Sequence, residues 1–288
     1  MAMPDGRAPN VATRTFGGQQ LWADVRFRQD FRIQQNALTG HHRLLDPHDV
    51  RRAWGSFEHC EAVLDRLTVR LQGAPEPEHV VLLLHGLGRT RRSMQRLSGG
   101  LRQAGFATAP LSYASTRRPL EAHADALCSV IEGFEGERRV SFVTHSLGGI
   151  VVRYLLSRPG PWRDRITPHR MVMLAPPNQG CSVARRIDGP LLRAVLGRSA
   201  VQIAGGSTRE LGPPPIPCGV IAGSLREGRG IHGLVPEASD GLVTVSETEL
   251  EGMEAHLTIE AIHTFIMNHP EVEAAVTRFL TQDPPAFC

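Results

Sequence analysis

"VSFVTHSLGGIVVRYLL", residues 140–156, passes from one apolar segment through a single serine into another. The first segment reads as a buried strand, and the second, after Gly148-Gly149, as a helix. Ser146 falls at the joint. A serine there can be a helix cap. It can equally be a nucleophile lifted on a sharp strand-to-helix turn, where G-x-S-x-G keeps the flanking positions small because the backbone is strained and neighbours pass close. Here the five residues are Thr144-His145-Ser146-Leu147-Gly148, with Thr144 where the first glycine is usual. The turn is therefore expected to be altered or packed differently.

Outward from this stretch the pattern is regular from residue 79. "HVVLLL", "FATAPLSY", "RRVSFVT" and "HRMVMLA" read as strands. "TRRSMQRLSGGLRQAG", "RPLEAHADALCSVIEGF" and "LGGIVVRYLLS" read as helices between them. Strands that are continuous apolar runs, alternating with helices, predict a mostly parallel α/β sheet covered on both faces. "PCGVIAGSL" and "HLTIEAI" supply two more strands, and "PEVEAAVTRFL" a closing helix. Residues 176–213 read as an insertion, a small helical lid or else a second helical layer of core, because Leu191, Leu192, Val195, Leu196, Val201 and Ile203 are too many apolar groups for an exposed loop.

The preceding residues, 1–75, read as an N-terminal extension, and 76–288 as the catalytic domain. The first fifteen or so are polar and expected to be disordered. Two short strands follow around Leu21–Phe27 and Phe31–Ile33. "LDPHDVRRAWGSFEHCEAVLDRL" predicts an amphipathic helix with Asp46 as its N-cap, Pro47 in its first turn, and Val50, Trp54, Phe57, Val63 and Leu67 on its apolar face. "QGAPEPE", 72–78, reads as a linker.

Thirty-two Lys and Arg against 29 Asp and Glu give a net charge of +3, and the arginines are scattered, so no nucleic-acid stripe is implied. Five cysteines without a CxxC pair argue against a disulfide framework and a zinc site. The first twenty residues hold no apolar run fit for a signal peptide. The longest aliphatic run, Val80–Leu84, is far short of the roughly 20 residues of a membrane helix. A soluble cytoplasmic protein is the expectation, with transient contact to a membrane surface left open.

A second stretch bears on the serine. "LLLHGLG", 82–88, ends the first parallel strand with His85-Gly86-Leu87-Gly88. Acyl transfer needs two N–H donors aimed at the developing oxyanion. The residue after the nucleophile, Leu147, supplies one, and Leu87 in the earlier strand-to-helix loop is expected to supply the other.

With "HGLG", "THSLGG" (144–149), "LAPPNQG" (174–180), "SDGLVTVSET" (239–248) and "HTFIMNHPEV" (263–272), the chain resembles the α/β-hydrolase superfamily, and within it bacterial lipases and GPI inositol-deacylase-like serine esterases. Residues 1–75 have no counterpart in that resemblance. The superfamily's chain order, Ser, then Asp or Glu, then His, implies where the partners lie. His263 follows "HLTIEAI" at the end of a strand and is the expected base. His256 begins that strand, and His269, before Pro270, suits a helix start. Asp240, in the tight-turn sequence "SDG", is the expected acid, with Asp188 in the lid as its rival. Glu237, Glu247 and Glu249 read as surface charges, and His145 as a packing residue.

The expected protein is a serine esterase or lipase acting on a small-molecule or lipid ester with an apolar acyl group. It uses Ser146, His263 and Asp240, with Leu87 and Leu147 as oxyanion donors, and needs no cofactor or metal. Transfer to an acceptor other than water, or an inactive fold serving as a binding module, are the other readings.

Overall fold

The computed structural model describes residues 20–69, 77–186, 190–204, 207–225 and 238–288, without the side chains of 186, 190–196 and 207. Two sheets form within them. The first is antiparallel, with strands β1 (Trp22–Arg28), β2 (Phe31–Asn36), β3 (His42–Leu45) and β4 (Arg51–Gly55) paired in that order. Helix α1 (Phe57–Thr68) follows. The second sheet begins with β5 (His79–Leu84), then α2 (Gln95–Gln103), β6 (Ala107–Leu111), α3 (Leu120–Glu132), β7 (Arg138–His145), α4 (Leu147–Ser157) and β8 (Ile166–Leu174). Three helical pieces come next: α5 (Ser182–Arg186), α6 (Pro190–Ala204) and α7 (Ser207–Glu210). β9 (Cys218–Ser224), α8 (Val245–Thr248), β10 (Ala255–Glu260) and α9 (Pro270–Thr281) complete it. Its spatial order is β10-β9-β8-β7-β5-β6, every neighbouring pair parallel.

The strand period of two explains why this sheet needs cover on both faces. Along β5, Val80, Leu82 and Leu84 enter one core with α3 and α4, while Val81 and Leu83 enter the other with α2 and α9. Met171 and Met173 of β8 face the first core, and Val172 and Leu174 the second. The expected parallel sheet with helices on both faces is the one that forms.

The small sheet has two unlike faces. Val25, Ile33, Leu44 and Ala53 pack on Cys60 and Leu64 of α1. The alternate residues Asp24, Arg32, Gln34 and Arg43 are polar yet buried, and bond to one another: Gln34 Nε2 donates to Asp24 at 2.7 Å and Arg43 Nε to Gln34 Oε1 at 2.9 Å. These four strands form a sheet of their own and add nothing to the parallel one.

The helix expected from Asp46 onward does not begin there. Asp46 closes a turn, its Oδ1 accepting the N–H groups of His48 and Val50, both at 2.9 Å, and Arg51–Gly55 pairs with β3. Trp54 is 43% exposed and stacks on His41, off any helical core face. The helix starts at Phe57, with Ser56 Oγ accepting from His59 N–H as its cap. Helical spacing fits "VRRAWGSF" as well as strand alternation does, and cross-strand pairing with β3 decides between them.

Among the proposed lid residues, Val201 is exposed and Ile203 joins the main core. The side chains of Leu191, Leu192, Val195 and Leu196 lie outside the described residues, as do Asp188, Glu237, the first nineteen residues and most of the expected linker. Among the described residues no helix is long and apolar enough to cross a membrane.

Candidate active site

Ser146 sits between β7 and α4 at φ 50°, ψ −120°, a left-handed conformation a non-glycine residue adopts only under constraint. Its N–H donates to Leu174 O at 2.8 Å, tying the turn to β8. Glycine supplies the clearance on one side. A Cβ on Gly148 would stand 2.7 Å from Leu84 O, and one on Gly86 would stand 2.6 Å from His145 Nδ1.

Thr144, in the place of the first glycine, is fully buried. A Cβ on Gly149 would stand 3.2 Å from Thr144 Oγ1 and 3.1 Å from Met173 Sδ. The second glycine of the helix therefore makes the room that the first position does not.

His263 opens a 3₁₀ turn just beyond β10, and Asp240 lies in the chain between β9 and α8. His263 Nε2 is 3.0 Å from Ser146 Oγ, and its Nδ1 is 2.7 Å from Asp240 Oδ2. A carboxylate oxygen only accepts, so Nδ1 carries the proton and Nε2 is left to accept the serine's. The Asp240 side chain is fully buried. Its Oδ1 accepts the N–H groups of Leu242 (3.0 Å) and Val243 (2.8 Å), which fix the carboxylate's orientation. Gly223 lies where a Cβ would meet Asp240 Cβ at 2.8 Å.

Four other histidines do not join this line. His145 Nε2–H donates to the His263 carbonyl at 3.0 Å, and its buried Nδ1 has no partner. Burial, with His263 beside it, lowers its pKa far below the usual value, so it is a neutral brace. His256 lies within β10 and reaches Thr248 Oγ1, and His269 caps α9 by accepting from Glu271 N–H. His85 donates from Nδ1 to Gly86 O, accepts Tyr113 N–H at Nε2, and stacks on the Tyr113 ring at 4.3 Å. Burial lowers its pKa to about 4.

Leu147 N–H is the first of α4 and has no partner in its own helix by position. In the loop after β5, Gly88 N–H is committed to Ser115 Oγ at 3.0 Å and Arg89 N–H to Gly86 O at 3.2 Å. Leu87, between Gly86 and Gly88, is partly buried against the main core. Chemically, the arrangement can take a proton from Ser146 at Nε2 of an imidazole whose other nitrogen is held by a carboxylate. Among the described residues no group of three or more His, Cys, Asp or Glu could hold a metal ion.

Glu247 is not a surface charge. It is 8% exposed and forms a reciprocal capping box with Thr244, while its Oε1 accepts Ser182 N–H at 2.5 Å. Thr244-x-x-Glu247 is a readable signal of that cap. Glu249 is exposed. Asn178 of "LAPPNQG" is also structural: fully buried, it accepts from Arg153 of α4 at 3.0 Å and donates to Thr248 O at 2.8 Å.

Residues 74–211 match the model of a family described as "Putative serine esterase (DUF676)". No curated protein sequence matches the chain significantly. Several solved structures share the fold. A Bacillus licheniformis lipase in its mature form is 15% identical, with 68% of this chain and 89% of that one covered at a TM-score of 0.52. A metagenomic carboxyl esterase is 19% identical, covering 67% and 68% at 0.52. A Legionella pneumophila phospholipase, solved with thio-NAD, is 16% identical, covering 71% and 58% at 0.53. Identities this low speak for the fold alone.

Proposed function

We propose that this chain, a member of the α/β-hydrolase superfamily, is a carboxylic ester hydrolase that works through Ser146, His263 and Asp240. The observation that carries the reading is the unbroken line of hydrogen bonds from Asp240 Oδ2 through both nitrogens of His263 to Ser146 Oγ. Ser146 attacks the ester carbonyl carbon while His263 Nε2 takes its proton. The carbonyl oxygen gathers negative charge and is held by the N–H groups of Leu87 and Leu147. Collapse of that intermediate expels the alcohol, which receives the proton from His263 and leaves an acyl-Ser146. Water, activated by the same imidazole, then releases the acid. Asp240 keeps Nδ1 protonated throughout and stabilises the imidazolium.

An apolar acyl group is the substrate feature we favour. Leu242, two residues from Asp240, is 39% exposed, and Ile262 and Phe265, flanking His263, are 44% and 55% exposed. Apolar side chains left in water beside the reacting groups suit an apolar chain laid across them. The segment between β8 and β9 is proposed as the cover of that site.

The experiment is a rate profile over p-nitrophenyl esters of increasing acyl length, beside a charged dicarboxylic half-ester. The expected result is faster cleavage of the medium and longer apolar esters. No cleavage of any ester by the folded chain, or a preference for the charged acid, would overturn the reading.

A further inference from the structure

Leu87 N–H can hold an oxyanion only if its loop keeps one shape, and that loop is soft by composition. Gly86 and Gly88 flank Leu87, and Gly88 adopts φ +68°. Glycine lowers the resistance of a backbone to re-orientation, so a donor between two glycines needs outside fixing.

The fixing comes from a distant part of the chain. Gln20, at the entry to β1, donates from Nε2 to Arg89 O at 2.7 Å. Its Oε1 accepts from Ser115 Oγ at 2.8 Å and Thr116 N–H at 3.0 Å. Ser115 is fully buried, and its hydroxyl, spending its proton on Gln20, turns a lone pair to Gly88 N–H at 3.0 Å. Gly88 N–H and the Leu87 carbonyl share one peptide unit, so this bond sets the plane next to the oxyanion donor.

Gln20 is itself well anchored. In β1, Asp24 Oδ2 accepts Ser112 N–H at 2.6 Å, and Asp24 N–H donates to Ser112 O at 2.8 Å. Asp49, after β3, binds Arg91 at 2.7 Å and Arg92 at 3.2 Å. The small sheet thus grips both segments that carry the loop, 89–92 and 112–116. Its buried polar face has a reason to exist.

We infer that Gln20 and Ser115 are positioning residues for the oxyanion loop, so that the N-terminal sheet, outside the residues matching the esterase family model, acts on the chemical step. The inference rests on the proposed serine mechanism. It predicts a specific kinetic pattern. Removing one oxyanion donor outright costs roughly 10²–10³ in turnover, so mis-aiming one should cost about tenfold to a hundredfold.

The test uses the full chain with Gln20→Met, which keeps the length without hydrogen bonding, and Ser115→Ala, which removes the relay. Both should lower kcat by about tenfold to a hundredfold, with KM within about twofold. Affinity for a trifluoromethyl ketone, which Ser146 converts to a bound oxyanion, should fall by the same factor. The double variant should be no worse than the weaker single, because the two act as one chain. Unchanged kcat in folded Ser115→Ala, or a raised KM at constant kcat, would overturn the inference. Ser146→Ala, run alongside, separates the two claims: activity surviving that change defeats the serine reading, while its loss with normal Gln20→Met and Ser115→Ala kinetics defeats only this one.

Discussion

His263 is attached to Asp240 at two points: its ring Nδ1–H donates to Oδ2 at 2.7 Å, and its backbone N–H donates to the Asp240 carbonyl at 3.0 Å. The acid therefore orients the imidazole and holds the chain that carries it. An amide in place of the carboxylate leaves the backbone bond intact. Its loss of charge, and its NH₂ group as a competitor for Oδ2's place, favour the wrong tautomer. Asp240→Asn should keep the fold and lower kcat by roughly 10⁴. Asp188→Asn should change it by less than about tenfold. Steady-state kinetics of both variants with one ester decide the matter, and the opposite ranking would move the acid to the earlier loop.

The two helix glycines after Ser146 should tolerate change unequally. A methyl on Gly148 meets the Leu84 carbonyl, a backbone atom in a central strand, at 2.7 Å. On Gly149 it meets the Met173 thioether and the Thr144 hydroxyl beyond 3 Å, side-chain atoms able to give a little. Gly148→Ala should lose at least about 2 kcal/mol by urea unfolding, and Gly149→Ala less than about 1, since alanine also raises helix propensity. Equal losses would mean the crowding is not where the backbone places it.

Acid should weaken the fold before the carboxylates titrate. Burial lowers the pKa of His85 and of His123 to about 4, opposed in part by nearby backbone carbonyls. In the unfolded chain each takes a proton near the usual imidazole value of 6.5. Their neutral burial is therefore fully favourable above that value and is lost as pH falls toward 4. Between these limits each contributes a slope approaching about 1.4 kcal/mol per pH unit. Urea unfolding at pH 7 and pH 5 should show lower stability at pH 5. Equal or greater stability there would contradict the buried neutral state.

Replacing Glu247 by alanine removes the return half of its capping box and the acceptor for Ser182 N–H. A surface charge would cost almost nothing, within about 0.5 kcal/mol. A buried acceptor of two N–H groups should cost about 1–3 kcal/mol. Thermal or urea unfolding of Glu247→Ala reads the difference.

The parallel sheet was legible because its strands are buried on both faces and so spell out as apolar runs, and because each ends in a helix of clear period. Ser146 was legible for a related reason: the joint between such a strand and such a helix is a place few residues can occupy. Arg51–Gly55 was not, since its arginines, alanine and tryptophan fit a helical stripe, and only β3, whose pairing lies beyond any local window, makes it a strand. Glu247 could have been read from Thr244-x-x-Glu247, a four-residue signal that stands in the sequence. Gln20 and Ser115 could not. Ninety-five positions separate them, and a glutamine and a serine carry no pattern that announces the pairing.

Active-site labelling reads the nucleophile itself. The folded chain is treated with a fluorophosphonate, digested, and the modified peptide sequenced by mass spectrometry, in parallel with Ser146→Ala. One adduct is expected, on Ser146 in the peptide that carries "THSLGG", and none in the variant. An adduct on another residue, or undiminished labelling of Ser146→Ala, would contradict Ser146 as the nucleophile.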